Sequence, residues 1–125
     1  EFKKLIMMNP FETLSHERVI SEGETTNKLF FLLSGEASVW KAGKSIASIS
    51  PGDFIGEMSF MSNQFASADV NANNTIRVAY WTHDDLNKLN QKNNRIYNKF
   101  LNIVGCDLVK KLNRNNDQLI QDNYH

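Results

Sequence analysis

The sequence predicts a mainly β fold, a double-stranded β-helix or jelly roll with a short N-terminal helix before it and two C-terminal α-helices after it. Three observations predict it. Short apolar or alternating runs recur at regular spacing from Glu17 to Trp81, separated by glycine and proline turns. One of them, Lys28-Leu-Phe-Phe-Leu-Leu33, is apolar almost throughout, as a strand buried on both faces is. After Thr82 the apolar period changes from strand-like to helical.

The elements follow in order. Phe2 to Met8 is apolar on one side and ends at Asn9-Pro10, a short helix stopped by proline. Phe11 to Leu14 reads as a further turn leading into the roll. Arg18 to Ser21 is the first strand, closed by the turn Glu22-Gly23-Glu24. Ser34-Gly35 turns Lys28–Leu33 into Glu36–Trp40, and Ala42-Gly43 makes a hairpin into Lys44–Ile49. Pro51-Gly52-Asp53 is a strong turn signal. Asp69–Ala72 and Thr75–Trp81 flank Asn73-Asn74, which reads as a hairpin loop. Thr82 is a suitable N-cap, with Asp84 and Asp85 in the first turn and Leu86 and Leu89 on the inner face. Ile96, Tyr97, Phe100, Leu101, Val104, Leu108, Val109 and Leu112 then form a stripe of about five turns, which reads mostly as core packing against the roll, with helix pairing or a ligand-reporting hinge near Gly105 as the alternatives. The expected layout is one domain, with a roll over residues 14–82, helices over 83–114 and a fraying tail over 115–125.

Composition narrows the function. The 125 residues suit a single core, and an ordinary apolar fraction excludes wholesale disorder. Fourteen basic residues balance fourteen acidic ones, so no global field draws the chain onto nucleic acid or an anionic membrane. Cys106, the single cysteine, cannot form an internal disulfide and falls inside a helical pattern, which predicts a buried, unreactive thiol and fits a reducing cytoplasmic setting. No apolar run approaches the ~20 residues that span a bilayer, and no signal peptide is read. The chain starts at Glu1 rather than Met, as a piece of a longer protein does. Its sixteen asparagines are scattered, which excludes an asparagine-rich tract. His16, His83 and His125 are far apart with no ligands at metal-binding spacing, so no metal is expected. Neither a nucleophile elbow nor a Gly-x-x-x-x-Gly-Lys loop is present, and no enzyme is expected.

The stretch Phe54-Ile-Gly-Glu-Met-Ser-Phe-Met-Ser-Asn-Gln-Phe-Ala-Ser-Ala68 carries the chemistry. Together with Glu22-Gly23-Glu24, Phe31-Leu-Leu-Ser-Gly35, Gly43 and Ile49-Ser-Pro-Gly-Asp-Phe-Ile-Gly-Glu57, it resembles the cyclic-nucleotide-binding domains of the catabolite-activator and kinase-regulatory type. Several glycine turns in family order make a far more specific signal than one short motif. The last third, with Trp81-Thr-His-Asp-Asp-Leu86, Phe100 and Val104-Gly-Cys-Asp-Leu-Val-Lys-Lys-Leu112, is similar to the end of Popeye domains, membrane-anchored relatives associated with cyclic AMP.

The resemblance implies that Gly56, Glu57, Met58, Ala66, Ser67 and Ala68 surround a cyclic nucleotide, cAMP or cGMP. Gly56 would let backbone N–H groups approach the phosphate, Glu57 would accept from the ribose 2′-hydroxyl, and Ser67 would donate to a phosphate oxygen. The family closes its cassette with Pro-Arg-Ser/Ala-Ala. Here Phe65 and Ala66 occupy the Pro and Arg slots, so the bidentate counter-charge is missing. Losing one partner of a buried charge pair costs about 2–5 kcal/mol, roughly thirty-fold to several thousand-fold in affinity. Arg77, Lys41 and Lys44 are the candidate substitutes, and Phe65 makes the pocket mouth more apolar.

Three roles fit. The first is a regulatory sensor with weak or altered ligand binding, signalling through its C-terminal helices. The second is a degenerate roll in which Glu57 merely satisfies its turn, and the stripe Phe100, Val104, Leu108 and Leu112 forms a homodimer. The third is the sensor half of a transcription regulator. The Popeye-like tail favours a cytoplasmic domain tethered to a membrane by segments upstream.

Overall fold

The computed structural model describes residues 11–123, with side chains described within 12–109. The helix expected over Phe2–Met8 therefore lies outside the described residues. Among the described residues eight strands and three helices follow one another: β1 (Phe11–Ser15), β2 (Arg18–Ile20), β3 (Lys28–Ser34), β4 (Ala37–Lys41), β5 (Lys44–Ile49), β6 (Phe54–Ile55), α1 (Glu57–Ser62), β7 (Asp69–Ala72), β8 (Thr75–Thr82), α2 (His83–Lys92) and α3 (Asn94–Asn123). The strands pair antiparallel in two four-stranded sheets, one in the order β1-β8-β3-β6 and the other β2-β7-β4-β5. This is the jelly roll that the sequence predicts.

Strand β3 explains the apolar run. Because successive side chains alternate, Phe30 and Leu32 enter the cluster between the sheets with Ile20, Ile55, Val70, Ile76 and Val78. Leu29, with Phe31 and Leu33 beside it, faces the other way into a second cluster with Phe54, Trp81, Leu86, Phe100 and Val104. One sheet thus carries two cores, and the helices cover its outer face. Strand β8 divides in the same way: Ile76 and Val78 point in, Ala79 and Trp81 point to the helices.

Three expectations about the chain's course are corrected. Phe11 to Leu14 is not a turn but strand β1, paired with β8 from Phe11↔Ala79 to Ser15↔Thr75, so the roll begins before residue 14. Asn73-Asn74 is not a hairpin loop, since β7 pairs with β2 and β4 while β8 pairs with β1 and β3. The turn crosses between sheets, held by Asn73 N–H donating to Glu36 O (2.9 Å) and Glu36 N–H donating to Asn74 Oδ1 (3.0 Å). Helix α3 continues to Asn123 through the stretch expected as a tail, where neither glycine nor proline interrupts it.

Other turns match the reading. Ala42 (φ 53°) and Gly43 (φ 77°) form the two-residue β4–β5 turn. Thr82 caps α2 reciprocally: Asp85 N–H donates to Thr82 Oγ1 (3.1 Å) and Thr82 N–H to Asp85 Oδ2 (2.9 Å).

Candidate functional site

The cassette opens with a backbone requirement. Gly56 sits in the left-handed region (φ 81°, ψ 16°) immediately before α1. A Cβ there would lie 2.7 Å from Ile20 Cδ1 and 3.3 Å from Thr26 Cγ2, so β2 and the loop after it pack directly on the glycine. Glu57, next along, is buried at 3% exposure. Helix α1 was not expected from the sequence; Phe60 N–H donates to Gly56 O (3.0 Å), and Asn63 (φ 56°) ends it. Ser59 is buried and donates its hydroxyl to Gln64 O, which turns the chain back towards the roll.

The cassette's closing end is pinned by backbone pairing. Ala66 N–H donates to Glu24 O (2.9 Å), and Gly23 N–H donates to Ala66 O (2.8 Å). Next to this pair, Glu22 N–H donates to Asp69 Oδ1 (2.7 Å). The Ala66 methyl packs against the cluster inside the roll. Of the six residues expected around a ligand, Ala66 packs on the interior cluster, Gly56 packs on Ile20 of that cluster, Glu57 is buried, and Ala68 is half-buried. Met58 and Ser67 are exposed. Phe65 is 71% exposed, so it fills no pocket.

The substitute cations read from the sequence are placed elsewhere. Lys41 and Lys44 flank the Ala42-Gly43 turn and are exposed. Arg77 is exposed between Ile76 and Val78, both of which point in, so strand alternation turns it out of the roll. The basic groups beside the cassette are Arg18 and Lys28, which the sequence reading missed. Both line a cleft of about 280 Å³ together with Ile20, Glu24 and Thr26. Arg18 pairs loosely with Asp69 (3.6 Å) and donates through Nε to Asn71 Oδ1 (3.3 Å). Lys28 Nζ lies 2.7 Å from Glu12 Oε1 and 4.4 Å above the Tyr80 ring. The available signal was position alone, a charge at the first residue of an otherwise apolar strand.

The helical layer holds one further correction. Phe100 (1% exposed) and Val104 (0%) pack into the core beneath the helices, as the main reading of the stripe expects, and are not exposed for the alternative role in a pairing seam. Leu108 is half-buried, and the Leu112 side chain lies outside the described ones. Cys106 is exposed, not buried. At 3.6 residues per turn it stands on the far side of the helix from Val104. It borders a second cleft, about 400 Å³, between Phe31, Gly52 and Phe54 of the roll and Asn102, Ile103 and Asp107 of α3. Among the described residues no group of three or more His, Cys, Asp and Glu is placed to hold a metal. No helix among them is long and apolar enough to cross a membrane.

Comparison with known proteins gives a consistent answer. Residues 12–93 match the family model of the cyclic nucleotide-binding domain. The chain is 34% identical over 73 residues to a cAMP-dependent protein kinase regulatory subunit of Yarrowia lipolytica, covering 57% of this chain and 20% of that protein. It is 33% identical over 61 residues to the corresponding subunit of Hypocrea atroviridis, covering 49% of this chain and 13% of that protein. The chain thus matches a fifth or less of the length of these relatives. Among solved structures, a cyclic nucleotide-binding domain from Methylobacillus flagellatus superposes with TM-score 0.87 at 24% identity, over 96% of this chain and 71% of that one. That likeness shows the fold. The cAMP-bound PfPKA-R superposes with TM-score 0.59 at 28% identity, over 77% of this chain and 37% of that one.

Proposed function

The chain belongs to the cyclic nucleotide-binding domain family, and from that premise we propose that it is a non-catalytic regulatory module whose roll takes a cyclic nucleotide with a weakened or rearranged phosphate grip. The observation that carries this reading is the setting of Ala66. Its backbone is fixed by Gly23 and Glu24, and its methyl lies on the roll's interior cluster. A longer side chain at that place would reach the interior, and a methyl offers a phosphate neither charge nor hydrogen bond. Glu57, buried beside Gly56, remains suited to a ribose hydroxyl.

Output runs through the helices. Phe60 ties α1 into the cluster containing Trp81, Leu86 and Phe100, so a shift of the cassette is felt by α2 and α3. A ligand changes their position only by the difference in its affinity for two arrangements. The kinase subunits among its relatives are regulatory proteins, which supports the same role here. The similarity of Trp81–Leu86 and Val104–Leu112 to Popeye domains supports a cytoplasmic module tethered through segments upstream.

Calorimetric titration of cAMP and cGMP into the chain and into Ala66→Arg tests the reading. Binding that is weak in the unmodified chain and about thirty-fold or more tighter in Ala66→Arg is the expected result. Silence from both proteins sinks it.

One observation favours a second reading, a pairing module. With Phe100 and Val104 in the core, the most exposed large apolar side chain among those described on α3 is Val109, at 55%, with Ile103 exposed at 37%. Light scattering that shows a dimer abolished by Val109→Glu supports pairing; a concentration-independent monomer excludes it.

A further inference from the structure

On the cyclic-nucleotide reading above, we propose that the phosphate of the ligand is gripped by Arg18, Lys28 and the Thr26 hydroxyl, in the cleft between β2 and β3 that shares its wall with both ends of the cassette.

Position comes first. Ile20 and Thr26, which line the cleft, are the side chains packed on Gly56. Glu24, which also lines it, accepts the Ala66 N–H. The cleft therefore adjoins both ends of the segment that carries the phosphate site in the motif.

Charge comes second. Arg18 and Lys28 line the cleft, against a single lining carboxylate, Glu24. Their partners Asp69 and Glu12 sit outside the lining. The Arg18–Asp69 contact is long at 3.6 Å, and its side chains are 54% and 25% exposed, so water screens it and an anion can compete for the guanidinium. Asn71 accepts from the Arg18 Nε–H (3.3 Å), one of the five donors that arginine carries. Lys28 gives one donor to Glu12 and has two more.

The third observation is independent of charge. Thr26 Oγ1 is buried and makes no hydrogen bond with the described residues. A buried hydroxyl in that state is unfavourable, and a phosphate oxygen in the cleft would accept from it. The volume, about 280 Å³, lies just below the roughly 300–1,000 Å³ common for small-molecule sites, which suits the phosphate and sugar of a nucleotide with the base outside.

Calorimetry at low salt decides, with cAMP, 5′-AMP and inorganic phosphate as probes and Arg18→Gln, Lys28→Gln, Thr26→Val and Ala66→Arg as variants. The expected result is saturable cAMP binding by the unmodified chain, weakened roughly ten-fold or more by either Arg18→Gln or Lys28→Gln. Thr26→Val, nearly isosteric, should weaken binding several-fold without lowering the melting temperature, which separates loss of a contact from loss of fold. Inorganic phosphate binding that is as tight as cAMP and equally lost in Arg18→Gln keeps the cleft as an anion site and overturns the nucleotide as its ligand. Undiminished cAMP binding in Arg18→Gln and Lys28→Gln, or binding gained only in Ala66→Arg, overturns the cleft while the family reading survives. No binding of any probe by any of the proteins overturns both.

Discussion

Phe60 and His83 stack face to face, with ring centroids 3.9 Å apart and planes 4° from parallel. The first ring belongs to the cassette helix and the second to the first residue of α2, so this contact joins the segment nearest the ligand to the segment that would report it. Phe60 is 1% exposed, whereas His83 is exposed, so the two contribute unequally. Phe60→Ala should cost about 3–5 kcal/mol, as truncation of a core aromatic does. His83→Ala should cost only the ring pair, about 0.5–1.5 kcal/mol. Urea denaturation of both single variants and the double gives the coupling directly. A coupling near zero means that the stack holds nothing together.

Gly56 and Ile20 give a second, sharper test, because two penalties meet at one atom. Gly56→Ala places a Cβ at φ 81° and 2.7 Å from Ile20 Cδ1. The left-handed backbone and the close contact together should cost about 1–3 kcal/mol. Gly43→Ala is the control: φ is 77°, nothing lies within 4 Å, and only the backbone penalty of about 1–2 kcal/mol applies. Ile20→Val removes the offending carbon. It should cost about 0.5–1.5 kcal/mol alone and less in the Gly56→Ala background. If the two substitutions are additive in equilibrium unfolding, Ile20 is not what confines Gly56.

These contacts show which parts of the fold were legible. Local signals are legible: Lys28 to Leu33 as a strand with two buried faces, Ala42-Gly43 as a two-residue turn, Thr82 as a cap. Each depends on residues within a few positions of one another. Pairing choices were not legible, because they depend on distant partners. Asn73-Asn74 looks like a hairpin from its own neighbours, and Glu36 decides otherwise. The stripe through Phe100 and Val104 is a local periodic signal as well, read mainly as packing against the roll, and the roll covers it. The cassette behaved likewise. Gly56 and Glu57 were found by motif, whereas the placement of Arg18 and Lys28 beside them follows from sheet geometry alone.

The cap of α2 carries its own prediction. Thr82 and Asp85 satisfy each other's backbone N–H, and Thr82 is also the last residue of β8, so the cap fixes where the sheet ends and the helix begins. Thr82→Ala and Asp85→Ala should each cost about 0.5–2 kcal/mol. The double variant should cost less than their sum, since either change breaks the same box. Thermal denaturation of the three proteins measures it, and strict additivity would argue against a reciprocal cap.

Cys106 tests the placement of α3 itself. The helical stripe alone suggests an inward thiol, but Phe100 and Val104 are the residues that α3 buries among those described, and two positions after Val104 the chain has turned by about 200°. The thiol then stands exposed at the rim of the cleft bordered by Phe31 and Phe54. It should react with one equivalent of a soluble disulfide reagent in the native protein, at a rate close to that of the urea-unfolded chain. Cys106→Ser should shift stability by no more than about 0.5 kcal/mol, as an exposed substitution does. Protection that is released only on unfolding would mean that α3 is rotated, with Cys106 rather than Val104 against the roll. The core beneath Phe100 would then have to be redrawn, together with the path by which the cassette reaches the helices.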